Sequence, residues 1–118
     1  MDKKIVLGLI EPIEINGEKV LAKIDTGAAK SSISIQLASK LRLGPIVKTV
    51  RIISSHGKTV RPVIKVSIKI GEKKFKMLFN LTDRKKLKYH ILIGQNILKR
   101  GFLIDPNKHE NRDNQLIK

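Results

Sequence analysis

The sequence predicts a small, barrel-like all-β protein with a short helix near its C-terminal end. Three observations carry this expectation. Apolar residues alternate with polar ones at Ile64, Val66, Ile68 and Ile70, and again at Phe75, Met77, Phe79 and Leu81, which is the period of a half-buried strand. Turn signals such as Asn16-Gly17 and Gly71 interrupt the chain at short intervals. With 118 residues and 41% apolar content the chain can bury one modest core, and it shows no internal repeat, linker or second domain.

Residues 5–10 form an apolar run of the buried-strand type. Residues 13–15 and 20–24 then flank Asn16-Gly17, a two-residue hairpin signal because both positions tolerate positive φ. Asp25-Thr26-Gly27-Ala28 follows at a strand end and enters a loop, where Ser31 and Ser32 read as turn-stabilising serines. Ser34 can cap a short helix carrying Ile35, Leu37, Ala38 and Leu41 at helical spacing, closed by Leu43-Gly44-Pro45. Residues 47–53 and 59–63 read as two strands around the mobile polar tip Ser54-Ser55-His56-Gly57-Lys58. The alternating pair around Gly71 is the second hairpin, with Phe75, Met77 and Phe79 as core. Arg84, Lys85, Lys86 and Lys88 mark a basic surface loop. Ile91-Leu92-Ile93 is a short strand ending at Gly94, residues 95–100 a helix of one to two turns stopped by Gly101, and Phe102-Leu103-Ile104 a last strand closed by Asp105-Pro106. This gives one domain over 1–106 and a polar, frayed tail over 107–118.

Composition removes several functions. There is no cysteine, which excludes disulfides, thiol chemistry and cysteine-ligated metals. The early apolar run is too short to span a membrane or to serve as a secretory signal, so a cytoplasmic protein without a membrane partner is expected. The formal charge of +15 invites nucleic acid. However, the basic residues are spread along the chain and often alternate with apolar ones, as do Lys65, Lys69, Lys74 and Lys76. Phe75, Phe79, Tyr89 and Phe102 are the only aromatics available for base stacking. Nucleic acid stays open as a partner but is not favoured. His56, His90 and His109 lack paired metal-ligand spacing, and neither a phosphate loop nor a His-Glu-x-x-His motif occurs, so no metal or cofactor is expected.

Among ten acidic residues Asp25 stands apart, because apolar strand residues precede it and Thr26-Gly27-Ala28 follow. A carboxylate at the end of a buried strand is costly unless hydrogen-bonded or used, and Gly27 lets backbone N–H groups approach it. An ordinary Asx turn explains the tripeptide equally well. The companion segment Ile91-Leu92-Ile93-Gly94-Gln95-Asn96 alters that balance. A hydrophobic-hydrophobic-Gly strand end entering a short helix, after a flap-like hairpin, resembles a retropepsin subunit over roughly residues 5–105. Lys23 to Ala28, Arg61-Pro62-Val63, Leu81-Thr82-Asp83-Arg84, Tyr89 and Phe102 to Pro106 are similar to the bacterial and archaeal retropepsin-like group often filed as ATP-dependent zinc proteases.

The resemblance implies an all-β closed barrel of retropepsin (acid protease) type and a homodimeric aspartic endopeptidase acting on peptide or protein substrates. Asp25 from each subunit is then catalytic and Thr26, Gly27 and Ala28 form the active-site loop. Ser54, Ser55, His56, Gly57 and Lys58 make the flap. Leu92, Ile93, Gly94, Gln95 and Asn96 support the site from behind. Retroviral relatives pair an acidic residue after the tetrad with an Arg in a Gly-Arg-Asn turn; here the two positions are Ala29 and Gln95, both neutral. A non-catalytic dimeric peptide-binding module and a basic nucleic-acid or ribosome-associated protein are the alternative readings.

Overall fold

A computed structural model describes residues 4–55, 57–83 and 88–108. Its frame is a barrel of six strands. Strands β2 (Ile10–Ile15) and β3 (Glu18–Ile24) form the predicted hairpin, with Asn16 at φ 51° and Gly17 at φ 80°. After the loop come β4 (Ser31–Ser34) and helix α1 (Ile35–Lys40). Two long strands, β6 (Gly57–Ile70) and β7 (Lys73–Thr82), turn at Gly71, whose φ of 60° suits glycine. Strand β8 (Ile91–Ile93) and helix α2 (Gln95–Leu98) finish the site side of the barrel. The strand order is β2-β3-β8-β4-β7-β6, and pairing of Glu14 with Lys69 and Ile15 with Ile68 brings β6 back to β2. Pro12 sits in β2 outside that closing contact, where a missing N–H costs no ladder bond.

Strand β5 (Ile46–Ser54) pairs with β6 alone and carries the hairpin beyond the barrel wall. At the other end β1 (Ile5–Leu7) and β9 (Phe102–Ile104) form a separate parallel pair. The inward side chains of β6, Ile64, Val66, Ile68 and Ile70, are all buried and meet Ile13, Ile15, Ile33, Phe79, Ile91 and Ile93 in one core. The alternation read from the sequence thus sets the barrel interior.

Three local expectations are corrected. Residues 5–10 are not one buried strand: the run breaks at Gly8, and Val6 and Leu9 are exposed while Leu7 is buried. Residues 59–63 and 64–70 are one continuous strand, because Pro62 falls opposite Thr49 in a two-stranded stretch and does not end it. Ser31 and Ser32 are not turn residues. They lie in β4, between β7 and β8, and all four residues of that strand are buried. The Ser34 cap forms as expected, its Oγ accepting the Leu37 N–H at 2.9 Å, so α1 joins the C-terminal helix as a second short helix. Phe75 is partly buried and packs against Phe102 with ring centres 6.2 Å apart.

Candidate active site

The parallel pairing of β3 with β8 places Ile24 beside Ile93, so both strands end at the same level. The ladder runs one residue further: the Asp25 N–H donates to the Ile93 carbonyl at 2.9 Å, and the Ile24 N–H donates to Leu9 on the other side. Asp25 therefore leaves a rigid double anchor. The chain then turns, with the Gly27 N–H donating to Asp25 Oδ1 at 2.9 Å and the Ala28 N–H to the Asp25 carbonyl at 3.3 Å. Among the described residues no side chain or backbone group bonds Asp25 Oδ2. Asp25 is partly exposed, and Thr26 and Gly27 are exposed.

The start of α2 holds the far side of this loop. The N–H groups of Gln95 and Asn96 donate to the carbonyls of Ala28 and Ala29 at 2.8 and 3.1 Å, and Gln95 Nε2 donates to the Thr26 carbonyl at 2.7 Å. Gly94 makes the approach feasible, since an added Cβ would lie 2.7 Å from the Ala28 carbonyl oxygen and against that of Lys30. Ser31 Oγ accepts the Gly94 N–H at 2.9 Å and donates to Asn96 Oδ1 at 2.7 Å, and Asn96 Nδ2 reaches the Leu78 carbonyl at 3.1 Å. Every buried polar group of this knot has a partner, which is what lets polar side chains sit there.

The structure brings the sequence-selected residues Asp25, Thr26, Gly27 and Ala28 together with Ile93, Gly94, Gln95 and Asn96, while Leu92 supports the sheet one position earlier. The hairpin tip lies at the end of β5 and β6, where Ser54 pairs with Gly57 and Ile53 with Lys58; Ser55 is exposed and His56 lies outside the described residues. So do Arg84 and His109. His90 is not at the loop: its Nδ1 lies 2.7 Å from Ser34 Oγ. Among the described residues no three of His, Asp and Glu gather as a metal centre would require.

Two features escaped the sequence. Glu11, in β2, is 6% exposed; its Oε2 accepts the Gly8 N–H and the Lys108 ammonium, the latter at 2.8 Å. Their separation along the chain, 97 residues, hid the pair. Beside Lys30, where the Asp25 loop exits, lies a cavity of about 270 Å³. Lys30, Lys48, Lys65, Lys76, Asn80 and Asn96 contribute its polar lining. Asn80 is 6% exposed, and its side-chain amide has no partner among the described residues. All four lysines are exposed, as alternation along the strands assigns Lys65 and Lys76, and Lys30 and Asn96 reach this face from distant segments of the chain.

A six-stranded closed barrel with one Asp-Thr-Gly loop wedged against a Gly-led helix defines a retropepsin-like protein. Solved structures agree on the fold. Protein Lpg0085 of Legionella pneumophila subsp. pneumophila str. Philadelphia 1, of unknown function, superposes with a TM-score of 0.65 at 22% identity over 90% of this chain and 96% of its own. The simian foamy virus protease gives 0.60 at 20% identity over 76% of this chain and 91% of its own. The chain belongs to the RimB-like family, described as retropepsin-like aspartic endopeptidase RimB, whose model matches residues 36–115. That match begins after the Asp25 loop. No curated protein matches the chain.

Proposed function

We propose that two copies of this chain assemble an aspartic endopeptidase in which the two Asp25 carboxylates meet across a two-fold axis. The observation that carries the reading is the exposed Asp25 loop, with Oδ1 held by the Gly27 N–H and Oδ2 without a partner among the described residues. One Asp-Thr-Gly supplies half a site, so a second copy completes it. Two carboxylates in contact share one proton. The ionised one takes a proton from a water as that water attacks the scissile carbonyl carbon, and the protonated one donates to the carbonyl oxygen. Collapse of the tetrahedral species breaks the C–N bond as the amine takes the proton gained from water and the proton on the carbonyl oxygen returns to the carboxylate pair. Thr26 joins the two loops, Gly27 leaves room for substrate backbone, and the β5–β6 hairpin covers an extended peptide.

The cavity beside Lys30 gives this peptidase a taste for acidic side chains. Four lysines and the Asn80 amide, which has no partner among the described residues, offer donors and positive potential, and a substrate carboxylate satisfies them. The test is digestion of an unstructured protein mixture by wild type and by Asp25→Asn, from acid to neutral pH, read by mass spectrometry. Cuts made by wild type, absent from the variant and flanked by Asp or Glu, are expected. A confirmed dimer that binds peptides without cutting them would replace the peptidase with a binding module.

A further inference from the structure

The loop around Asp25 is held by four hydrogen bonds from β8 and α2, and three of them come from backbone. These are the Asp25 N–H to the Ile93 carbonyl, and the Gln95 and Asn96 N–H groups to the carbonyls of Ala28 and Ala29. The fourth comes from a side chain, Gln95 Nε2 to the Thr26 carbonyl at 2.7 Å. Its acceptor matters. The Thr26 carbonyl and the Gly27 N–H are the two ends of one planar peptide group, and that N–H is the donor to Asp25 Oδ1 at 2.9 Å. Gln95 thus grips the far end of the amide that holds the carboxylate.

We propose that Gln95 is a positioning residue for Asp25, acting through the Thr26–Gly27 peptide. A donor on the carbonyl fixes the rotation of the peptide plane and polarises it, so the N–H at the other end points at Oδ1 and binds it more strongly. Without that donor, Thr26 and Gly27, both exposed, are free to rotate their shared plane, because neither has another partner among the described residues. Ala29 adds no charged group that would draw the Gln95 side chain away. The neutral pair at 29 and 95 therefore releases the residue-95 side chain to serve the catalytic turn. The chemical consequence rests on the peptidase reading above, whereas the geometric one stands on the loop alone.

Amide hydrogen exchange on 15N-labelled wild type, Gln95→Met and Gln95→Arg tests it, together with kcat and KM on a cleaved peptide. In Gln95→Met the Gly27 amide should exchange about tenfold faster, the loss of one hydrogen bond. The amides of Asp25, Gln95 and Asn96, bonded to backbone carbonyls, should keep their rates. A parallel fall of about tenfold in kcat with KM unchanged is expected, because substrate contacts are untouched. Gln95→Arg retains an N–H donor and should restore both. Unchanged Gly27 exchange in Gln95→Met would overturn the proposal, as would equal acceleration at Asp25, Gln95 and Asn96, which marks mere structural support. Exchange is measured whether or not the protein cleaves. A wild type that cuts nothing therefore counts against the peptidase, while Gly27 still decides the role of Gln95.

Discussion

Replacing Gly94 with alanine adds one methyl group at the point where α2 meets the Asp25 loop. Gly94 has φ −105° and ψ −169°, a backbone state open to any residue, so the whole penalty is steric. The new Cβ would stand 2.7 Å from the Ala28 carbonyl oxygen and closer to that of Lys30, and both obstacles are backbone. Relief requires the loop to retreat from α2. This lengthens the bonds from Gln95 and Asn96 to Ala28 and Ala29, about 1 kcal/mol each, and adds overpacking strain of about 1–3 kcal/mol. The sum, about 3–5 kcal/mol, is a large part of the stability of a domain this size. At about 4 °C or more per kcal/mol for a domain near 100 residues, the melting midpoint should fall by at least about 12 °C. Gly17→Ala is the control. Its Cβ meets nothing within 4 Å, but its φ is +80°, so only a conformational penalty of about 1 kcal/mol applies. Thermal melts followed by circular dichroism compare the two. A Gly94→Ala midpoint within about 3 °C of wild type would show that the loop yields freely, and the rigid wedge would be refuted.

Other perturbations follow from the same contacts. Ser31→Ala leaves the Gly94 N–H and Asn96 Oδ1 without their shared partner in a fully buried place, and the urea midpoint should drop by the equivalent of about 2–3 kcal/mol at constant m-value. Lys108→Met strips the ammonium from buried Glu11. Because the Lys108 side chain is 36% exposed, its loss should cost about 1–2 kcal/mol rather than the full value of a buried pair, measured in a double-mutant cycle with Glu11→Gln. Reversing charge in the cavity with Lys65→Glu and Lys76→Glu should raise KM for an acidic peptide about tenfold, with a neutral peptide unaffected, in matched steady-state assays.

The barrel was legible where local rules and tertiary needs agree. Asn16-Gly17 supplies the positive φ its hairpin requires, Ser34 caps α1 through the N–H of Leu37 only three residues on, and the apolar positions 64, 66, 68 and 70 have a single face on which they can be buried. Placement of Asp25 at a strand end was likewise readable, since Ile24 and Ile93 end their strands together. Strand β4 was not. Ser-Ser-Ile-Ser has turn composition, and only pairing with Phe79, Asn80 and Leu92, far along the chain, makes it a central strand. The roles of its serines depend on Gly94, Asn96 and His90, all contributed by later segments. Residues 5–10 misled for the same reason in reverse: five apolar side chains around Gly8 suggest burial, yet Gly8 must clear the Lys108 carbonyl, and the chain bends there with Leu9 exposed.

Neutrality around the loop also sets the sign of a solution property. Each chain carries a formal +15, so two copies repel. The residues expected to meet at the axis, Thr26, Gly27, Ala28 and Ala29 with Gln95 behind them, carry no charge besides that of Asp25. The repulsion is therefore long-ranged while the contact is local. Raising the ionic strength from about 0.1 to 1 M shortens the screening length from about 10 to about 3 Å and removes the repulsion without touching the contact. Dimerisation measured by sedimentation velocity should strengthen several-fold with salt. A dimer built on an ion pair at positions 29 and 95, as the retroviral pattern has it, weakens instead. Nucleic-acid binding by scattered lysines weakens more steeply still. A dissociation constant that rises with salt would place charged groups across the interface, and the neutral, loop-centred assembly would have to be abandoned.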